Sequence, residues 1–333
     1  MSYNAFFMAA LALAQPAVVP VEPAAAVSSA NQVQVKGVLP GPGFWKVSNG
    51  ENTLWLLATV RPLPRNLEWE TIKLERALAQ SQLLLSGPGV TMDADIGFFG
   101  KIGLLPSLLK ARKNPDGKTL KDVLPPATYQ RWLVLKKKYI GNDASIESWR
   151  PIFVAQEIYQ RAIKKAGLEN RSPVWSVAEK YAERRDIPII RPRLNLKVAD
   201  PKGLIKSFTR KALNDTACFE KTLDSIEQDV QFMARRGQLW AYGQVAELQQ
   251  ITFNDFSGAC INALLDAGVA SQLGQSDVQA RIQELWLQTA DKALTSNRST
   301  VAVLNMGDLL GPKGYLARLR AKGYQVEEPA ATP

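Results

Sequence analysis

The chain has 333 residues, 46% of them apolar and 22% charged, which is globular composition and length enough for a sizeable core. It contains no histidine and two cysteines, which excludes a Ser-His-Asp or Cys-His triad, a histidine base, and a zinc site built on imidazole or on four thiolates. The formal net charge of +10 favours polyanions as partners, whether nucleic acid, anionic lipid or acidic polysaccharide. The densest basic groups, Lys136-Lys137-Lys138 and Arg184-Arg185 with Arg191 and Arg193, read as solvated faces. No zinc-finger spacing and no RNP-type aromatic motif supports specific nucleic-acid recognition.

Residues 1–14 read as a signal peptide. Ala5 to Ala14 form a short apolar run, too short to span a bilayer, and Ala12 and Ala14 give an A-x-A pattern before Gln15-Pro16. No Lys or Arg precedes the run. A Pro/Ala-rich linker follows over 15–40. The expected compartment is the periplasm or the exterior of a bacterium, and no later segment has the length and apolarity of a membrane helix.

From Gly43 the pattern is α/β. Phe44–Val47 and Leu54–Leu57 are short apolar runs around Ser48-Asn49-Gly50, a hairpin with its positive φ from Asn-Gly. A helix is expected over Trp69–Gln80 with Leu74, Ala77 and Leu78 on one face, then a buried strand at Leu83–Leu85 that ends at Ser86-Gly87-Pro88-Gly89. Asp93 and Asp95 form a D-x-D pair read as a solvated turn, and the glycines between Ser86 and Gly103 match no phosphate-binding motif.

The middle, about 105–295, reads as a helical insertion. Pro125-Pro126 opens a helix with Tyr129, Trp132 and Leu133. Apolar stripes follow at Ile152, Ala155, Tyr159, Ala162, Ile163 and Ala166, and at Val174, Val177, Ala178, Tyr181 and Ala182. Ile187–Ile190 is a strand candidate. Phe219, Leu223, Ile226, Val230 and Met233 mark a long helix; Val278, Ile282, Leu285 and Trp286 mark another. Trp132, Trp175, Trp240 and Trp286 fall at apolar helical positions and read as core. The end returns to β-α-β: a strand over Thr300–Leu304, a loop over Asn305–Gly314, a helix with Tyr315, Leu316 and Leu319, and a strand at Tyr324–Val326 after Gly323. The terminal strands are expected to join one sheet, so that 41–329 form a single domain around the helical middle.

Two stretches carry a resemblance. GFWKVSNGENTLWLLATVRPLP (Gly43 to Pro64) resembles the opening of the TraB/GumN family, W-x-V, a turn, then an apolar strand ending G-T-x-H. STVAVLNMGDLLGPKGYLARLRAKGYQVEEP (Ser299 to Pro329) resembles its ending, a strand running into G-x-x-H-L-x-G-x-x-G and then L-x-x-x-G-Y-x-V. RPIFVAQEIYQRAIKKAGL and MARRGQLWAYGQVAELQQITF are similar to helical segments of that family. The resemblance implies a scaffold for metal-dependent hydrolysis of the Tiki type, with histidines and acids on strand-end loops. Carried over residue by residue, the two histidines fall on Arg61 and Asp308, a glycine on Ala58, acidic positions on Ser86 and Arg191, and a helical aspartate on Ala178. Of these only Asp308 suits a metal, and the permanent charges of Arg61 and Arg191 repel one.

The resemblance together with these departures implies a degenerate metal site, no cofactor, and a non-catalytic protein that binds a ligand or an envelope partner in the altered cleft. The alternative is a metal-independent hydrolase of peptide or envelope polymer with a rebuilt site. Glycosidases show that paired carboxylates work without histidine, but nothing in the chain singles out a pair. A further reading, a polyanion-binding module, rests on the net charge. Arg61 and Asp308 are expected to face each other as an ion pair. Cys218 and Cys260 are expected to form a disulfide, since an exported chain with an even, minimal cysteine count is where bridges persist.

Overall fold

Two antiparallel strands, β1 (Phe44–Asn49) and β2 (Asn52–Thr59), open the fold, in register from Phe44↔Leu57 to Asn49↔Asn52. Gly50 alone carries the positive φ of the turn, 62°, so Asn49 stays in the strand rather than in the turn expected for it. The structure, a computed structural model, describes residues 39–329 except 66, 95–102, 104, 105, 108, 199, 211, 212, 251–258, 261, 262 and 264–276. The expected signal segment 1–14, the linker up to residue 38, and Asp95, Gly97 and Gly100 lie outside the described residues.

The chain continues through β3 (Leu63–Pro64), α1 (Ile72–Ala79), β4 (Leu83–Ser86), β5 (Gly89–Ala94), α2 (Leu120–Val123), α3 (Pro126–Tyr139), α4 (Pro151–Lys165), β6 (Leu168–Glu169), α5 (Pro173–Arg184), β7 (Ile189–Ile190) and β8 (Arg193–Val198). It ends with α6 (Pro201–Arg210), α7 (Thr216–Ala241), α8 (Val245–Gln250), α9 (Val278–Ser296), β9 (Ser299–Asn305), α10 (Met306–Leu309), α11 (Tyr315–Ala321) and β10 (Gln325–Glu327). Six strands form a mixed sheet in the order β10-β1-β2-β9-β4-β7. The terminal strands do share it: β10 pairs with β1, and β9 lies parallel between β2 and β4.

Successive strand residues point to opposite faces. In β2, Leu56, Leu57, Ala58 and Thr59 are all buried, as are Thr300 to Leu304 in β9, so both faces of the central strands are covered. The helices α1, α5 and α9 pack against these strands. Leu74 and Leu78 of α1 and Val174, Ala178 and Ala182 of α5 enter the same core as the sheet.

A second core lies between α3, α4 and α7, where Trp132, Ile158, Phe219 and Leu223 are buried together and the Trp132 and Phe219 rings meet edge on at 5.8 Å. The helix α7 serves both cores. Cys218, Phe219 and Leu223 near its start belong to the helical one; Leu239, Trp240 and Ala241 at its end belong to the sheet. The Cys218–Cys260 disulfide ties the start of α7 to a later segment.

The middle segment is not purely helical. It carries β6, β7 and β8, and β7 pairs parallel with β4, so the chain revisits the sheet before the long helix. Two strands were not expected: β5, which contains Asp93 and replaces the expected turn, and β8 within the middle segment, paired parallel with it from Gly89↔Arg193 to Ala94↔Val198. A single turn of helix, α10, also interrupts the expected 305–314 loop.

Candidate functional site

The parallel strands β2, β9 and β4 end side by side at Thr59, Asn305 and Ser86. Ligands of open α/β sheets sit beyond the carboxyl ends of strands, where the next loops diverge. A cleft of about 510 Å3 lies there, lined by Arg61 after β2, Ser86 and Gly87 after β4, Asp308 in α10, and Arg171, Ser172, Trp175 and Glu179 from the start of α5.

Two buried indoles hold the strand ends that lead into it. Trp240 donates through Nε1 to the carbonyl of Ala58 at 2.8 Å, and Trp286 to that of Ser86 at 3.0 Å. Each helix thereby gives a buried donor to a carbonyl at or next to a strand end. The core positions expected for Trp132, Trp240 and Trp286 are observed, each with 0% exposure; Trp175 is half-buried and faces the cleft instead.

The rim is polar. Ser172 caps α5 by accepting from the Trp175 amide at 3.3 Å, and its hydroxyl lies 3.1 Å from that of Thr59. The Ser86 hydroxyl donates to the Gly87 carbonyl at 2.8 Å and accepts from Arg193 Nη1 at 3.4 Å. Arg193 Nη1 also donates to the carbonyls of Gly87 and Pro192. Register explains its place: Arg193 opposes Gly89, where a Cβ would come within 3.0 Å of Arg193 Nε. On α11, burial raises the Tyr315 phenol above its ordinary pKa, and the charge of Asp308 adds to the rise.

Of the residues singled out from sequence, Arg61, Ser86 and Asp308 line this one cleft. Arg191 does not. Its guanidinium turns to Glu179 at 2.6 Å, with the Trp175 ring 5.7 Å away, and Arg193 takes the position in the cleft. No ion pair joins Arg61 to Asp308 among the described residues. Sequence reading missed Arg171, Ser172 and Glu179. The Ser172-Pro173 pair, a cap followed by proline at the first helical position, was the available signal that 171–179 begin a helix at a strand-end level.

A family model, the TraB/PrgY/gumN family, matches residues 43–328. The chain belongs to that family. No curated protein and no solved structure matches the chain. The resemblance implied a divalent metal at this place, and the side chains do not fit one. Arg61, Arg171 and Arg193 line the cleft, the hydroxyl of Ser86 stands where the resemblance puts an acidic residue, and no three His, Cys, Asp or Glu side chains converge among the described residues.

Proposed function

We propose that this family member is an exported, non-catalytic protein whose cleft takes an acidic ligand, or the acidic group of an envelope partner, in place of a metal ion. The observation that carries the reading is that Arg61, Arg171 and Arg193 line the same cleft as Ser86 and Asp308. Guanidinium groups repel cations and hold carboxylates or phosphates through paired donors, and the hydroxyls of Thr59, Ser86, Ser172 and Ser176 can add neutral hydrogen bonds. Asp308 and Glu179 keep the cleft from being uniformly cationic, which favours a ligand with a donor group beside its acid. Export is supported by the apolar N-terminal run and by the disulfide. Among the described residues no helix is long and apolar enough to cross a membrane.

A second reading, a metal-independent hydrolase, draws on Glu179 and Asp308 lining one cleft, since two carboxylates suffice for some hydrolytic chemistry. It must contend with Arg191, which already engages Glu179.

Protein purified without chelator, analysed for metal and for peptide or envelope-polymer hydrolysis, separates these readings. Metal-free, inactive protein that a dicarboxylic or amino-acid ligand stabilises against heat, with the effect lost in Arg61→Ala, is the expected result. About one tightly held metal per chain, or hydrolysis abolished by chelator, overturns the proposal. Hydrolysis that survives chelator and is lost in Asp308→Asn establishes the second reading.

A further inference from the structure

A second groove, of about 780 Å3, shares no residue with the cleft among the described residues. It runs between Gly103, Ser107 and residues 110–117 on one side and α6 on the other. Lys110 and Lys113 line one wall and Lys202, Lys206 and Arg210 the other, against one carboxylate among the described residues, Asp116. On α6 the three cations recur every fourth residue, so they form one stripe of like charge, an arrangement that destabilises a helix unless something neutralises it. None of the five forms an ion pair among the described residues.

The walls are held at a fixed spacing by one buried side chain. Arg150, 1% exposed, donates through Nε to the Lys113 carbonyl at 3.0 Å, and through Nη2 to the carbonyls of Phe208 at 2.7 Å and Thr209 at 3.0 Å. Its guanidinium also stacks over the Phe208 ring at 4.9 Å. One wall supplies the first acceptor and the other wall the next two. The cations therefore face each other across a gap set by the core, and that preorganisation lowers the cost of binding an anion.

We propose that this groove binds a ligand carrying two or more phosphate-type groups in a row. Lysine offers a compact point charge suited to phosphate oxygens, whereas a single planar carboxylate is better matched by the arginine fork. The volume lies within the range of ligand sites and far exceeds one oxyanion, and the charges extend over two turns of α6. A soluble oligophosphate and the headgroups of an anionic bilayer share this chemistry. The proposal concerns different residues from the cleft and stands whether or not the cleft reading holds.

The test uses the full chain with inorganic tripolyphosphate, orthophosphate, and vesicles of phosphatidylcholine with or without phosphatidylglycerol. The variants are Lys202→Gln/Lys206→Gln and a control of equal charge, Lys137→Gln/Lys164→Gln; all four lysines are exposed, and unchanged melting temperatures verify the fold. The expected result is salt-sensitive tripolyphosphate binding, weakened at least tenfold in the groove variant and less than twofold in the control, with orthophosphate weaker. Binding only to phosphatidylglycerol vesicles, lost in the groove variant alone, upholds the site and assigns it to a membrane surface. Equal loss in both variants, or no binding to either probe at low salt, overturns the proposal.

Discussion

Arg191 and Glu179 are joined by a 2.6 Å ion pair between the segment after β7 and the helix α5. The pair couples the rim of the cleft to α5, and it explains why Arg191 is not a lining residue while Glu179 is. Both side chains are about a third or more exposed, at 41% and 32%, so solvent screens the attraction. A double-mutant cycle of Arg191→Ala and Glu179→Ala is expected to return a stability coupling of about 0.2–1 kcal/mol. A value near zero in urea melts would show that the contact does not organise the rim.

The two buried indoles make a sharper demand. Trp286→Phe keeps most of the ring volume but leaves the buried Ser86 carbonyl without the donor that now reaches it at 3.0 Å. The expected destabilisation is about 1–3 kcal/mol, and Trp240→Phe should cost a similar amount through the Ala58 carbonyl. Urea midpoints read both. The two losses are expected to add, because the indoles serve different strands. Strong coupling would mean that the strand ends move as one unit.

Asp215 supplies a pH dependence. It is 3% exposed and accepts from the Ile152 amide at 2.9 Å, and burial pushes its pKa up from 3.8 to about 6 against the opposing pull of that hydrogen bond and of Arg150. A raised pKa means the folded chain holds the proton more tightly than the unfolded one. Its stabilising contribution is full below pH 3.8 and is lost as pH rises through about 6. The amount is on the order of 3 kcal/mol at most. Asp215→Asn should keep the acceptor, flatten stability between those two pH values, and leave other titrations unchanged. Parallel wild-type and variant profiles across that window would refute the assignment.

The disulfide closes a loop of 42 residues around the second half of the helical middle. Denatured, unreduced protein should show no titratable thiol, since both cysteines are paired. In the chain-entropy model such a closure stabilises by about 4 kcal/mol, so Cys218→Ser/Cys260→Ser should lose most of that in guanidinium melts. Loss well under 1 kcal/mol would place residual structure in the unfolded chain.

Local pattern was enough for many of the elements. The apolar runs Phe44–Val47, Leu54–Leu57 and Thr300–Leu304 and the stripes on α4, α5 and α7 were all legible, because burial leaves a short continuous apolar run on a covered strand and a period of 3.6 on a helix with one buried face. The family membership and the pairing of Cys218 with Cys260 were legible too, and the lack of histidine removed whole classes of chemistry before any fold was known. The strands β5 and β8 were not, since each exists through pairing with a partner about a hundred residues away and Gly89 and Pro192 at their starts look like loop. The site was half legible. Arg61, Ser86 and Asp308 follow from strand ends that sequence marks. That Arg193 rather than Arg191 enters the cleft follows from its register opposite Gly89, whose missing side chain leaves room for the guanidinium. That Arg150 spans both walls of the basic groove follows from three carbonyls on two distant segments. Neither is a property of one segment: a cavity is defined by which elements cross, and crossings are set by non-local packing that no local period encodes.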